Sequence, residues 1–425
     1  MVQKMRKMKD SGIEWIGEIP EGWEVLAHKY IMHKEKSICE HYSGEDVISL
    51  TLNGVVKRDL ENPSGKMPTT FDGYQFVDPN DLLLCLFDID VTPRCVGLVK
   101  DYGVTSPAYS RFKIHSGFCN AYYNYLLRFI DDEKVFVHLS KNLRSSLTES
   151  DFGAIKTIVP PKAEQQRIAD YLDNRTFEID TLLSKARSSI EEYKKLKQAV
   201  ITQAVTKGVR GEREMKDSGV EWIGETPAEW RISRIKYVSI FEPSCDFRKL
   251  TPETIITYSP MECIKNGTFE RRTSLYGNLA HTLTPFQNGD IVMAKVTPCF
   301  ENGNIAIMND LQSGYGLGSS ELFVFRPQNI NTRYLFYWLQ NKLFVHQACA
   351  TMTGTGGLKR ISPSFVKNCN IHYPPAAEQE EIADYLDAKC AEIDKLIAKK
   401  EQLVKELESY KKSLIYEVVT GKREV

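Results

Sequence analysis

Residues 8–23 read MKDSGIEWIGEIPEGW and residues 215–230 read MKDSGVEWIGETPAEW, one phrase displaced by 207 positions. A second pair follows: PPKAEQQRIADYLDNRTFEID opens at Pro160 and PPAAEQEEIADYLDAKCAEID at Pro374, 214 positions later. Solenoid repeats run about 20–50 residues, so this spacing marks a duplicated domain unit rather than a repeat array. The stretches between the matching blocks, 24–159 and 231–373, look largely unrelated. Two similar frames holding two different inserts suggest one scaffold that presents two readers to a pseudo-symmetric target.

At 425 residues the chain is long enough for two or more domains, each with its own core. The basic N-terminal MVQKMRKMKD is followed by no apolar run and is not expected to be a signal peptide. No stretch approaches the ~20 apolar residues of a membrane span, and a cytoplasmic location is expected. Ten cysteines lie scattered with no C-x-x-C pair, which suits reduced thiols rather than disulfides or zinc. The net charge of −1 hides an asymmetry: residues 231–373 hold 15 Lys+Arg against 9 Asp+Glu, residues 24–159 hold 15 against 18. Only the second insert has the positive excess of a phosphate-binding surface.

After each proline pair the pattern turns helical. In the second copy apolar residues fall at Ile382, Leu386, Ile393, Leu396, Leu403, Leu407, Tyr410 and Leu414, with Lys389 and Lys400 in the missing positions. The first copy matches with Ile168, Leu172, Ile179, Leu182, Tyr193, Leu196 and Val200, and with Arg175, Ala186 and Ser189 as weak positions. Alternating steps of four and three are a heptad seam. Gly208 and Gly421 stand where helices end. A helix of roughly 42 residues would be roughly 63 Å long, more than one small domain spans, so each is expected to need a partner. The simplest pairing is the two copies with each other, antiparallel.

The inserts read as short strands and a few helices. Residues 81–87 and 290–296 are apolar runs after turn signals, and both lead into a Val-Thr-Pro tripeptide at Val91 and Val296. Residues 321–326 and 110–114 read as further strands, followed by aromatic helices over 334–344 and 121–130. Glycine-rich loops at 314–320 and 353–359 fit no phosphate-binding fingerprint, but their backbone can approach a groove edge closely.

No catalytic constellation assembles: G-x-S-x-G, H-E-x-x-H and kinase-type sets are absent, and the eight histidines share no metal-ligand spacing. His281 and His346 read as ordinary partly buried residues. The Pro-Pro pairs lack the acidic or amide residue before them that an amino-methylating motif would need, and read as rigid strand-to-helix junctions.

The duplicated frame, the GDI strand leading to Val-Thr-Pro, SSELFVFR and the PP-x-x-EQ-x-x-IADYLD block together resemble the specificity subunits of type I restriction–modification systems, over essentially the whole chain. The resemblance implies an α+β fold: two pseudo-symmetric mixed α/β target recognition domains joined by two long helices paired as an antiparallel coiled coil. Recognition domains are then expected at 1–160 and 210–374, and the long helices at 161–209 and 375–425. It implies a non-catalytic subunit whose domains each read half of a bipartite double-stranded DNA target, while the helices set the spacing and dock two modification (methyltransferase) subunits. S-adenosylmethionine, ATP and Mg2+ would serve those partners and the restriction subunits, with no cofactor in this chain and no membrane contact. A structural coiled-coil adaptor and a diverged enzyme are the other readings, separated from it by DNA binding and by S-adenosylmethionine titration. By matched position, DNA contacts are expected at Arg94, Thr105, Ser106, Tyr109, Arg111 and Arg144 in the first domain. In the second they are expected at Lys295, Thr297, Asn302, Ser319, Ser320, Lys359 and Arg360.

Overall fold

The computed structural model describes residues 6–52, 54–63, 67–140, 145–265, 267–280, 282–354 and 357–425. The chain divides into two compact units, Met1–Ala186 with Gln402–Val425, and Arg187–Glu401. Both divisions fall inside long helices, so each long helix contributes residues to both units.

The two inserts share one plan. In the first unit a four-stranded antiparallel sheet runs Val96–Leu98, Leu82–Leu84, Ser110–Ile114, Met32–Lys34. In the second the corresponding sheet runs Ile305–Ile307, Ile291–Ala294, Leu322–Pro327, Ser239–Phe241. A second sheet in each unit contains one parallel pair: Gly103–Thr105 beside Val47–Thr51, and Tyr315–Gly318 beside Ile255–Ser259. The first unit adds one short edge strand, Ile38–Cys39. Leu82, Leu83 and Leu84, like Ile291, Val292 and Met293, are all buried, as strands covered on both faces must be. The expected helix over 334–344 is broken into Thr332–Trp338 and Lys342–Ala350, because Asn341 caps the second piece by accepting from the Phe344 N–H.

The repeated DSG phrase makes a turn that requires glycine. Asp10 Oδ1 accepts from the Gly12 N–H at 2.9 Å with Gly12 at φ +66°, and Asp217 and Gly219 do the same at 3.0 Å and +70°. The turn returns Glu18–Pro20 antiparallel to Met8–Asp10, and Glu225–Pro227 to Met215–Asp217.

The long helices, Lys162–Lys207 and Ala376–Val419, open directly after the proline pairs. Gly208 and Gly421 follow their ends at φ +79° and +72°, the left-handed conformation expected there. Their buried stripes differ from the heptad reading. Ile168, Leu172, Thr176, Ile179, Leu183, Ala186 and Ile190 are buried in the first, and Ile382, Leu386, Cys390 and Ile393 in the second. Leu182, Leu196, Leu396 and Leu403 are exposed, Tyr193 and Leu407 are half-buried, and Arg175 and Lys389 lie outside the stripe. A straight helix turns in 3.6 residues, so a strict 3.5-residue repeat drifts by about 20° per heptad around the buried face. The stripe therefore steps by four twice in succession, from Ile168 to Leu172 to Thr176, and again from Ile382 to Leu386 to Cys390.

In the first unit Ile168, Leu172, Ile179 and Leu183 share a core with Leu414, Ile415, Val418 and Val419. In the second, Ile382, Leu386 and Cys390 share a core with Ile201, Ala204 and Val205. At the 214-residue spacing Ile168, Leu172, Ile415, Val418 and Val419 of the first set correspond to Ile382, Leu386, Ile201, Ala204 and Val205 of the second. An ion pair joins the two helices in each unit, Lys411 Nζ to Asp180 at 2.6 Å and Lys197 Nζ to Asp394 at 2.7 Å. The aliphatic stems of the two lysines lie on the buried stripe while their ammonium groups reach out to the carboxylates.

Candidate nucleic-acid interface

Each insert is pinned to its frame by the same polar clamp. Glu164 accepts from the Trp23 indole N–H at 3.0 Å and from Arg6 at 2.6 Å. Glu378 accepts from Trp230 at 2.9 Å and Arg213 at 2.6 Å. Each guanidinium also stacks over its indole, at 5.5 Å and 5.1 Å from the ring centroid. The glutamines that follow, Gln165 and Gln379, donate to the carbonyls of Pro160 and Pro374, both at 2.8 Å. Their side-chain oxygens accept from the N–H of Cys119 and of Asn331, at the start of each aromatic helix. Tyr122 and Tyr334 donate to the carbonyls of Val419 and Val205, and Tyr125 and Tyr337 to Asp173 and Asp387. The repeated EQ and LD letters are thus anchors for the first and last segments of each unit, and recognising them needed only the question of what a repeated Glu-Gln would bind.

A second matched pair lies inside the inserts. Arg111 donates to Asp81 and to Asp78, each at 2.5 Å, and Arg326 donates to both oxygens of Asp290 at 2.8 Å. Arg111, Asp81 and Asp290 are buried, so these pairs fix the sheets from within.

In the second unit six expected contact residues converge on one edge. The segment 295–297 lies against 357–361: the Ile361 N–H donates to the Lys295 carbonyl and the Thr297 N–H to the Lys359 carbonyl, each at 2.9 Å. The Thr297 hydroxyl donates to the Gly357 carbonyl at 2.9 Å and accepts from the Lys359 N–H at 3.0 Å. Lys295 donates its backbone N–H to Glu321, whose own N–H is held by the Ser319 hydroxyl. Glu321 binds Arg360 through both oxygens at 2.8 Å, and that guanidinium holds the carboxyl below its ordinary value. Ser320 and Lys359 are exposed, and no ion-pair partner of Lys359 is found among the described residues. Lys295 is half-buried with its ammonium over the Phe323 ring. Thr297 is a buried anchor of this edge, so its hydroxyl is engaged rather than offered.

Asn302 is exposed but stands apart, on a groove lined by Lys194, Lys195, Lys207 and Lys342. The groove has a volume of about 1420 Å³.

The first unit places its expected residues differently. Thr105 is fully buried and donates to the Ile48 carbonyl at 2.8 Å. Arg111 is consumed by its carboxylates. Arg94 is 12% exposed and turned inward to Asp132 at 3.0 Å. Tyr109 packs on the core, and burial pushes its hydroxyl pKa up. Ser106 is half-buried in a turn that Gln75 holds by donating to the Ser106 and Tyr109 carbonyls. Arg144 lies outside the described residues. Matching by sequence order selected these positions, but side-chain direction in a strand alternates and set most of them inward. The edge that corresponds to 295–298 is 86–93, joined to the chain at Ser145 and Leu147 by the Ile89 and Leu147 N–H groups. What it exposes is Phe87, Asp90, Val91 and Pro93, with Val91 74% exposed. None of the expected contacts falls within this edge, so the matching by sequence order passed over it.

Burial lowers His28 and His372 to about 4, and both are neutral. His346 is exposed rather than partly buried, and His281 lies outside the described residues. Burial raises the thiols of Cys95, Cys369 and Cys390, the last to about 11. Among the described residues no group of three or more His, Cys, Asp or Glu is placed to hold a metal ion, and no helix is long and apolar enough to cross a membrane.

Comparison with known proteins gives a consistent set of relatives. Residues 247–406 match the type I restriction modification DNA specificity domain. A 163-residue stretch is 32% identical to the type I restriction enzyme EcoEI specificity subunit of Escherichia coli and 35% identical to the EcoAI subunit. Each match covers 37% of this chain and 27% of the relative, so the chain spans about a quarter of those proteins' length. Against the MjaVIII specificity subunit of Methanocaldococcus jannaschii the identity is 26% over 282 residues, 64% of this chain and 63% of the relative. Among solved structures, a chain from a type I R-M system studied for its assembly and conformational transition superposes with a TM-score of 0.69 at 14% identity, over 95% of this chain and 99% of that one. The HsdS subunit from Thermoanaerobacter tengcongensis gives 0.50 at 15%, over 95% and 98%. At these identities the structural likeness speaks for the fold alone.

Proposed function

Because this chain is a relative of the type I restriction enzyme specificity subunits, we propose that it is the DNA-reading subunit of a type I restriction–modification complex and has no active site of its own. Each unit reads one half of a bipartite target. The two long helices pair antiparallel as a coiled coil, set the distance between the half-sites, and dock two modification subunits. Those subunits use S-adenosylmethionine to methylate adenine, and restriction subunits add ATP- and Mg2+-dependent cleavage, all in the cytoplasm. The observation that carries this reading is the contrast inside the duplication. The clamps at Glu164 and Glu378 each hold one tryptophan and one arginine in the same way, while the edges they hold in place differ in chemistry. A shared scaffold with unlike edges is what two different half-sites require.

In the second unit the reading edge is Lys295, Ser319, Ser320, Lys359 and Arg360, and Asn302 on its separate groove makes a further contact. Lysine and arginine suit phosphates or guanine, and asparagine suits adenine. In the first unit the edge is Phe87, Asp90 and Val91. Apolar groups suit the thymine methyl, and a carboxylate suits the cytosine amino group. That composition agrees with the first insert's acidic balance.

The test is single-molecule sequencing for N6-methyladenine in a host carrying this chain and its modification partners. An asymmetric split motif with two half-sites and a fixed spacer is the expected result. Methylation at an undivided motif, or none that depends on this chain, overturns the reading. A purified chain that binds S-adenosylmethionine unaided overturns the non-catalytic assignment.

A further inference from the structure

Leu358 stands on the reading edge of the second unit with 55% of its surface in water. Among the described residues of that edge it is the one large apolar side chain left exposed, while Val296 and Ile361 are buried. A single exposed leucine is ordinary on a protein surface. This one differs in how firmly the backbone around it is held. Thr297 grips both neighbours: its hydroxyl donates to the Gly357 carbonyl and its N–H to the Lys359 carbonyl, each at 2.9 Å. The Lys359 N–H donates back to the same hydroxyl at 3.0 Å. Thr353 and Arg360 exchange N–H to carbonyl bonds at 3.0 Å and 2.9 Å, closing the segment from its other side. Gly354 passes so near that a Cβ there would collide with the Leu358 carbonyl. A leucine displayed on backbone already fixed pays little further ordering entropy when it meets a ligand.

The side chain is apolar and its surroundings are cationic. Lys359 is exposed with no ion-pair partner among the described residues, Lys295 holds its ammonium over the Phe323 ring, and Arg360 is bound to Glu321. Cations beside a fixed aliphatic group suit a duplex, whose phosphates border a groove of base edges. An aliphatic side chain forms no hydrogen bond, so among base edges it singles out the C5-methyl group of thymine in the major groove. Insertion between base steps needs a wedge that stands clear of its neighbours, and Leu358 is shorter than the lysine and arginine that follow it. Resting on the reading above, in which this edge faces DNA, we propose that Leu358 is a specificity-determining residue that packs against the C5-methyl group of one thymine in the second unit's half-site. A cation on a phosphate carries no sequence information, and the leucine beside it supplies that information.

The experiment measures equilibrium binding, by fluorescence anisotropy, of the full chain in complex with its modification subunit to a duplex carrying the mapped motif. Each thymine of both half-sites is replaced in turn by deoxyuridine, which lacks only the methyl group. With the parent chain, one replacement is expected to weaken binding about fourfold through the lost methyl contact. With Leu358→Ala that same replacement is expected to cost nothing. Replacements in the other half-site are expected to cost what they cost with the parent, which also reports that the variant is folded. If no thymine's cost depends on Leu358, or if Leu358→Ala weakens every duplex alike, the assignment is overturned. A parent complex that binds the mapped motif no better than an unrelated duplex overturns the underlying reading and the leucine's role with it.

Discussion

His28 and His372 show how position alone sets a side chain's chemistry. Each unit buries one histidine where its counterpart carries isoleucine, Ile235 for His28 and Ile158 for His372. Burial disfavours the charged imidazole, so the folded value of about 4 lies below the unfolded 6.5. Between those values the unfolded chain binds the extra proton, so stability is full above pH 6.5 and falls as pH drops toward 4. The loss expected is about 3 kcal/mol per histidine, at 1.36 kcal/mol per unit. Urea melts at pH 7 and 4.5 should show it, and His28→Gln or His372→Gln should flatten the dependence for its own unit. At the clamps, Glu378→Gln keeps an acceptor for Trp230 but strips the charge that faces Arg213, and is expected to cost about 2 kcal/mol in the same melts. On the reading edge, Lys359→Ala with Arg360→Ala should reduce the slope of log K against log salt by about one to two units if both touch phosphate. An unchanged slope removes the pair from the interface. Asn302→Ala should relax specificity in one half-site and leave the other untouched.

Among the elements, the long helices separate what periodicity reveals from what it hides. Their existence, ends and shared layout follow from proline pairs, glycine stops and an uninterrupted helical pattern. The seam was legible at Ile168, Leu172, Ile179, Ile382, Leu386, Ile393 and Leu414 and lost at Leu182, Leu196, Leu396 and Leu403, because neighbouring positions compete for it and helical drift decides between them. Leu183→Ala is expected to lower stability by about 2–4 kcal/mol, and Leu182→Ala by no more than about 0.5 kcal/mol. Equal effects in chemical denaturation would restore the heptad seam. The strands were legible as apolar runs, and the parallel pair in each second sheet was not, since pairing direction leaves no trace in a single run of residues.

Taken as a whole molecule, the chain interleaves its halves in sequence. Gln402–Val425 belongs with the first residues, so the clamp of the first unit is completed only when the last segment is present, with Tyr122 bonded to Val419. If the helices act as a ruler, inserting four residues beside Ala186 lengthens one by about 6 Å. That is close to two base pairs at about 3.4 Å each. Methylation mapping should then return the same half-sites with a spacer changed by one or two base pairs. Altered half-sites would exclude the ruler.

The residues by themselves determined that the chain is a duplication, that its frame is shared and its inserts are not, and that two long helices follow the proline pairs. They also carried the resemblance to the type I specificity subunits, because repeated blocks and breaker residues are local signals that need no partner to be read. Which leucine is buried, which arginine is neutralised inside, and which loop reaches the edge were decided only by tertiary structure. Arg94 and Arg111 look like Lys359 in the sequence, and differ only because carboxylates from distant residues, Asp132 and Asp81, meet them after folding. A charge buried against a carboxylate is withheld from DNA while an exposed one is offered to it, and that depends on contacts far apart in the chain.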